Sequence, residues 1–146
     1  MKTKSNSTRW GIALWSAQII LTGMFVVAGL PKAVTPIQEL AATMPLAVEV
    51  PEALVRFIGI SELLAAVGLI LPGLVRVKPM LIPLAAAGLV VIMVLAIIYH
   101  LSKGEIGASV FNLALGLLAY FVAWGRYRKA PIDPAGYSAV RQEIRN

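Results

Sequence analysis

Four long apolar segments run along the chain, each bounded by prolines, glycines or charged residues. They cover residues 10–30, 53–71, 79–101 and 109–127. A helix needs about 20 apolar residues to cross the hydrocarbon of a bilayer, and each segment is close to that length. No stretch alternates apolar and polar residues as a half-buried strand does. The pattern therefore predicts an all-α protein, a four-helix transmembrane bundle.

A short external interfacial helix is expected between spans one and two. The sequence T-P-I-Q from Thr35 is typical of a helix start, with Thr35 as the N-cap and Pro36 as the first helical residue. The helix is expected to run to about Met44, where a proline follows. Its apolar side would dip into the outer membrane interface.

Composition and charge place the protein in a membrane and orient it. Of its residues 59% are hydrophobic and 14% are charged, whereas soluble domains average about 45–50% apolar and 25% charged. Ten of the 13 lysines and arginines lie in the two tails and in the loop between spans two and three: Lys2, Lys4, Arg9, Arg76, Lys78, Arg126, Arg128, Lys129, Arg141 and Arg145. Cytoplasmic segments carry such an excess, so both termini are predicted to be cytoplasmic.

This orientation divides the chain into three parts. Residues 1–9 form a cytoplasmic basic tail, 10–127 the membrane domain, and 128–146 a second cytoplasmic tail. The net charge of +6 indicates anionic lipid headgroups as the partner rather than nucleic acid, because the basic residues flank apolar runs.

The residue inventory excludes several kinds of chemistry. The chain has no cysteine, so it has no disulfide, thiolate nucleophile or cysteine metal site. His100 is the single histidine, which rules out a bis-histidine haem within one chain. We expect neither a covalent cofactor nor a metal site, and no catalytic residue can be named.

Glu62 is the most informative polar residue within the spans. At the angular spacing of an α-helix, Gly59, Glu62 and Ala66 lie within about 60° of one another. Glu62 therefore lies on a face of small residues that can approach a neighbouring helix closely. An ionised acid in the membrane costs on the order of 3 kcal/mol or more. Both a functional carboxyl and a carboxyl that joins helices fit this position.

Other polar residues in or beside the spans are expected to converge with Glu62 in a pocket open to the outside. The candidates for ligand binding or proton handling are Glu62, His100, Asn112, Gln18, Thr22 and Lys32. Structural roles fit them as well, because amides and hydroxyls join membrane helices and a histidine complements a helix C-terminus. Arg56 is expected to extend to the outer headgroups.

Two motifs resemble those of the DoxX-like membrane proteins. Residues 25–32, F-V-V-A-G-L-P-K, are similar to the F-x-x-x-G-x-x-K of that family's first span. Residues 59–72 are similar to its second span, G-x-x-E-L-x-x-x-x-G-L-x-x-P. Tyr99-His100 and Asn112 fit as well. The resemblance implies a compact four-helix protein of the bacterial inner membrane, in a family where some relatives are named as subunits of thiosulfate:quinone oxidoreductase.

Three functions remain open from the sequence. The first is a membrane subunit of an oxidoreductase system that binds a small molecule, a quinone above all, beside a redox partner protein. In it Glu62 and His100 would exchange protons with the ring oxygens and Asn112 would donate a hydrogen bond. The second is a proton-coupled transporter that acts as a homodimer with Glu62 as the coupling acid. The third is a non-catalytic assembly factor, chaperone or anchor for a partner protein.

Overall fold

The computed structural model describes the backbone of residues 2–135 and the side chains of residues 8–135. The helices are α1 (Lys2–Val34), α2 (Ile37–Ala41), α3 (Leu46–Glu49), α4 (Glu52–Val75), α5 (Leu81–Ser102) and α6 (Ile106–Trp124), with a π-helical segment at Gly125–Lys129. Over residues 2–135 there is no strand. The four long helices are long and apolar enough to cross a membrane, which confirms the predicted fold class.

The long helices form a closed ring in the order α1, α4, α5 and α6, with α6 returning to α1. The interior is apolar and includes Phe25, Leu69 and Leu89, which are almost completely buried. Large apolar side chains such as Val27 and Phe57 are mostly exposed on the outer surface. An outer surface of this kind suits lipid rather than water, so the protein is a multi-pass integral membrane protein.

Helices α1 and α4 make the closest contact in the ring, at Gly29 and Gly59. A Cβ atom on Gly59 would lie 2.6 Å from the Cβ of Lys32 and 2.8 Å from the carbonyl oxygen of Gly29. Both distances are too short for a real side chain. Only glycine therefore permits this approach of the two backbones, as is common where membrane helices pack.

A glycine also lies at each of the other three contacts of the ring. These are Gly68 against Ala85 between α4 and α5, Gly116 against Met93 between α5 and α6, and Gly125 against Leu14 where α6 ends beside α1. Small residues thus set the spacing around the whole bundle.

Several helices extend beyond the predicted spans. Helix α1 begins at Lys2 and passes Pro31, and α4 passes Pro72. A proline removes one donor, but the backbone N–H of Thr35 still bonds to the carbonyl of Pro31 at 2.9 Å. Helix α4 ends instead where Arg76 adopts a left-handed conformation with φ of 53°.

The connection between spans one and two forms two short helices rather than one. We call residues 36–50 the cap. The N-cap of α2 is Pro36, without a side-chain capping bond, so the prediction of Thr35 as N-cap is wrong. The reason is that the first carbonyl to accept a bond within α2 is that of Pro36, from the N–H of Leu40 at 3.0 Å, so the helix starts one residue later. Leu40 and Ala47 of the cap pack on the fully buried Val55 of α4.

The two ends of the bundle differ in charge. At one end the ring of Trp10 lies 5.7 Å from that of Trp124, and the N–H of Ala135 bonds to the carbonyl of Arg76 at 3.1 Å. We call this the basic end; its described basic residues are Arg9, Arg76, Lys78, Arg126, Arg128 and Lys129. The opposite end carries the cap. The predicted C-terminal tail lies largely outside the described residues.

The glycine contact between α1 and α4 leads to a stability prediction. Gly59→Ala should lower the thermal midpoint in detergent, by the equivalent of about 1–3 kcal/mol of overpacking. The matched control is Gly23→Ala on α1, because a Cβ atom there meets nothing within 4 Å. That control should leave the midpoint unchanged or raise it slightly, since alanine favours helix. Equal effects of the two substitutions would contradict the close contact.

Candidate functional site

A buried ion pair joins α1 to α4 in the half of the bundle beneath the cap. The Nζ atom of Lys32 lies 2.7 Å from Oε2 of Glu62 and 2.9 Å from Oε1. The residues are 9% and 3% exposed. The ammonium group thus donates to both oxygens of the carboxylate, and the pair as a whole is neutral.

The geometry of antiparallel helices explains why these two residues meet. Each Cα–Cβ bond in a helix tilts toward the N-terminus of its own helix. Lys32 follows Gly29 on α1 and tilts toward the basic end, whereas Glu62 follows Gly59 on α4 and tilts toward the cap. Since the two glycines touch, the side chains converge beside that contact.

Arg56 reinforces the same region. Its Nη1 donates to the backbone carbonyl of Lys32 at 2.9 Å, and its Nη2 and Nε contact Oε1 of Glu52 at 2.9 and 3.2 Å. A carbonyl in the last turn of a helix lacks an intrahelical partner, and Arg56 supplies one. The guanidinium group therefore turns toward α1, whereas its contact with the outer headgroups stays a prediction.

Gln18 and Thr22 lie on the same face of α1 as Lys32, nearer the basic end. The Nε2 of Gln18 donates to the carbonyl of Leu69, and the hydroxyl of Thr22 donates to the carbonyl of Ala66 at 3.3 Å. Both acceptors belong to α4. These two candidates therefore join α1 to α4 through hydrogen bonds, and neither forms a hydrogen bond with Glu62.

Arg126 is a buried polar residue that the sequence analysis assigned only to topology. Its Nε donates to Oε1 of Gln18 at 2.6 Å, and it is 5% exposed. The guanidinium carbon lies 5.2 Å from the centre of the Trp15 ring. A basic residue at the end of a span looks like an orientation signal; Gln18, an amide deep in α1, was the available sign that a buried partner was needed.

His100 and Asn112 are not brought to Glu62. The Nδ1 atom of His100 lies 2.5 Å from Oε2 of Glu105, next to the start of α6. Asn112 is half-buried on α6. None of the hydrogen bonds around Glu62 includes either residue. The pair is made by α1 and α4 alone.

A second group of charges ties the cap to the end of α5. Glu49 accepts hydrogen bonds from Nζ of Lys103 at 2.8 Å and from the hydroxyl of Tyr99 at 2.9 Å. These bonds, that of Lys103 above all, lower the pKa of Glu49 below its ordinary value of 4.5. The bond to Glu49 raises the pKa of Lys103. Both shifts favour the charged pair.

An apolar groove of about 220 Å³ lies between α5 and α6. It is lined by Val90, Met93, Val94, Ile97, Leu113, Gly116, Leu117 and Tyr120. The lining is almost wholly apolar, so the groove offers little to orient a polar ligand. Within residues 8–135 no cluster of histidine and acidic side chains could hold a metal ion.

Breaking the buried pair on one side should be more harmful than removing it altogether. Lys32→Met leaves an uncompensated buried carboxyl, and we expect a loss of about 3–5 kcal/mol in the free energy of unfolding. The double variant Lys32→Met, Glu62→Leu should recover most of that loss. The exposed control Glu52→Gln should cost less than about 1 kcal/mol. Strictly additive effects at Lys32 and Glu62, measured by unfolding in detergent, would contradict direct pairing.

The Glu49 contacts predict how stability depends on pH. Because its pKa is lower in the folded protein than in the unfolded chain, its contribution is present above 4.5 and is lost as the pH falls through the folded value. The difference in thermal midpoint between wild type and Glu49→Gln should therefore shrink on acidification. Glu39→Gln, an exposed cap variant with the same change of charge, should show no such trend. A constant difference would refute the assignment.

Comparison with known proteins agrees with the motifs in the first two spans. The sequence model of the DoxX-like family matches residues 16–122, which include four of the five buried polar residues in the described part of the chain: Gln18, Lys32, Glu62 and Ser109. Comparisons with curated proteins and with solved structures find no significant match. Because the match covers most of the chain and includes parts of all four long helices, the protein belongs to the DoxX-like family.

Proposed function

We propose that the protein is a membrane subunit of an oxidoreductase system that binds a small molecule, with a quinone as the ligand class. The observation that carries the proposal is the buried contact between Lys32 and Glu62, in which Nζ lies 2.7 and 2.9 Å from the two carboxylate oxygens. These two residues supply a hydrogen-bond donor and a proton acceptor at one point of the membrane domain.

The energetics of burial favour a chemical role for the pair. Well-packed apolar residues are often as stabilising as a buried ion pair, or more so, and charges in a membrane are costly. The glycine contact and the bonds from Gln18 and Thr22 already join α1 to α4. Holding the two helices together does not require charges at positions 32 and 62.

The donor set fits a quinone headgroup. A lysine ammonium has three donors, two of which contact Glu62, so one remains for a ring oxygen. Reduction of a quinone consumes protons, and a carboxyl beside an ammonium can supply and receive them. The chain has no cysteine, so electrons would come from a redox partner protein. The roles of His100 and Asn112 toward the ligand stay predictions.

The proposal includes the bacterial inner membrane, with both termini in the cytoplasm. The basic residues of the cap half each contact an acidic partner: Lys32 with Glu62, Arg56 with Glu52 and Lys103 with Glu49. Of the nine lysines and arginines whose side chains the structure describes, six lie at the basic end and three in the cap half. The positive-inside rule counts these residues and so supports a cytoplasmic basic end; in that orientation the Lys32–Glu62 pair would lie in the outer half of the membrane.

Ligand analysis of the purified protein tests this function. The protein is isolated from its native membrane in mild detergent, and its bound isoprenoid quinones are extracted and quantified by mass spectrometry. Glu62→Gln should retain less quinone by at least about tenfold, because a charged hydrogen bond is lost.

The matched control is Glu52→Gln, which makes the same chemical change at an exposed position on the same helix. It should retain quinone as the wild type does. Wild-type protein that carries only bulk lipid, or a Glu62→Gln variant that retains quinone fully, would contradict the proposal.

A further inference from the structure

Arg126 makes fewer contacts than a buried guanidinium group requires. Its Nε bonds to Gln18 at 2.6 Å, and its Nη1 makes a long contact of 3.3 Å to the carbonyl of Ala130. Its Nη2 is buried and has no hydrogen-bond partner among the described residues. An unpaired buried donor destabilises the folded state, and more so when it is charged.

No acidic side chain neutralises this arginine within the described part of the chain. Four of the glutamates there contact basic residues toward the cap. The contacts are Glu62 with Lys32, Glu52 with Arg56, Glu105 with His100 and Glu49 with Lys103. Asp133, the described acid at the basic end, is exposed and forms no ion pair with Arg126. Among residues 8–135, the side chain is therefore a buried cation with an open donor position and no counter-charge.

The surroundings hold the guanidinium group in a fixed orientation. Gln18 is completely buried, and its Nε2 donates to the carbonyl of Leu69. Its Oε1 is therefore fixed in place where it accepts from Nε of Arg126. The ring of Trp15 lies 5.2 Å from the guanidinium carbon. Arg126 also belongs to a π-helical segment, a distortion that is frequent at functional sites.

A short strap covers this arginine. We give that name to residues 130–135, which follow the π-helical segment. Ile132 packs beside Gly73, and the N–H of Ala135 bonds to the carbonyl of Arg76 at 3.1 Å. The strap contains no helix or strand. Few bonds hold the strap in place. A ligand that displaces it would take the place of the Ala130 carbonyl, which lies 3.3 Å from Nη1 of Arg126.

We propose that Arg126 anchors a binding site for a phosphate-type oxyanion beneath the strap at the basic end. The planar guanidinium group donates two parallel hydrogen bonds and matches the geometry of a phosphate. Arg76, Lys78, Arg128 and Lys129 surround the same end and attract anions. Trp10, Trp124 and Tyr127 lie there too, at the level where aromatic residues meet lipid headgroups.

An anionic phospholipid and free inorganic phosphate both carry this group, and the experiment separates these two sources. Full-length protein in mild detergent is analysed by native mass spectrometry with phosphatidylglycerol or with phosphatidylcholine of the same acyl chains. In parallel, thermal unfolding is followed in inorganic phosphate and in chloride at equal ionic strength.

The variants are Arg126→Gln and the matched control Arg128→Gln. The control removes the same charge two residues away, from an exposed side chain. We expect Arg126→Gln to lose at least about tenfold in phosphatidylglycerol retention, and Arg128→Gln to lose less than about twofold. Stabilisation by inorganic phosphate that depends on Arg126 supports a site for the free anion; its absence, with lipid retained, supports the headgroup.

Equal losses in both variants would mean a general surface charge effect and would overturn the proposal. So would wild-type protein that distinguishes neither phosphatidylglycerol from phosphatidylcholine nor phosphate from chloride. If Arg126→Gln does not fold, as judged by helical circular dichroism and gel filtration, Arg126→Lys replaces it. That variant keeps the charge but loses the planar donors, and it should still bind more weakly than Arg128→Gln.

Discussion

The close approach of α1 and α4 is the constraint on which the rest of the structure depends. Gly29 and Gly59 leave no room for a side chain, so the two backbones come near enough for Lys32 to reach both oxygens of Glu62. The same closeness lets Arg56 bond to a carbonyl in the last turn of α1. Dispersion, rather than the hydrophobic effect, drives such contacts in lipid, which is why small residues recur around the ring.

The two ends of the bundle are built differently on this common frame. Toward the cap, each basic residue contacts a carboxylate, and α3 is tied to the end of α5 through Glu49. At the basic end, Arg126 is buried without an acidic partner among the described residues. Within the described part of the chain, Lys32 is thus a buried cation with a counter-charge and Arg126 a buried cation without one, in opposite halves of the membrane domain.

Much of the fold could be predicted from the sequence because lipid imposes a simple rule on spanning segments. Long apolar runs must be helical to satisfy their backbone groups, and the four spans follow from that. Their ends were less predictable, since Pro31 and Pro72 lie within helices whose later residues still find backbone partners. The cap also differs, because α2 starts one residue later than predicted, with Pro36 rather than Thr35 as its N-cap.

The candidate site shows a similar division. The placement of Glu62 on the small-residue face of α4, beside Gly59, followed from periodicity. The direct pairing of Glu62 with Lys32 could not be predicted. A lysine near the end of a span usually extends to the interface, and pairing depends on how two antiparallel helices cross. Arg126 was missed for the same reason. His100 lies beside Glu105, a short-range contact across the α5–α6 loop that periodicity does not reveal.

The central claim is that Glu62 and Lys32 form a proton-handling pair and do more than hold α1 against α4. An infrared difference spectrum of the carboxyl stretch, recorded on adding a quinone and then its reductant, tests this directly. In wild type and in Glu52→Gln, the spectrum should show a change in the protonation or hydrogen bonding of one carboxyl. That change should be absent in Glu62→Gln. Identical spectra from all three proteins would contradict it and leave Glu62 as a structural contact.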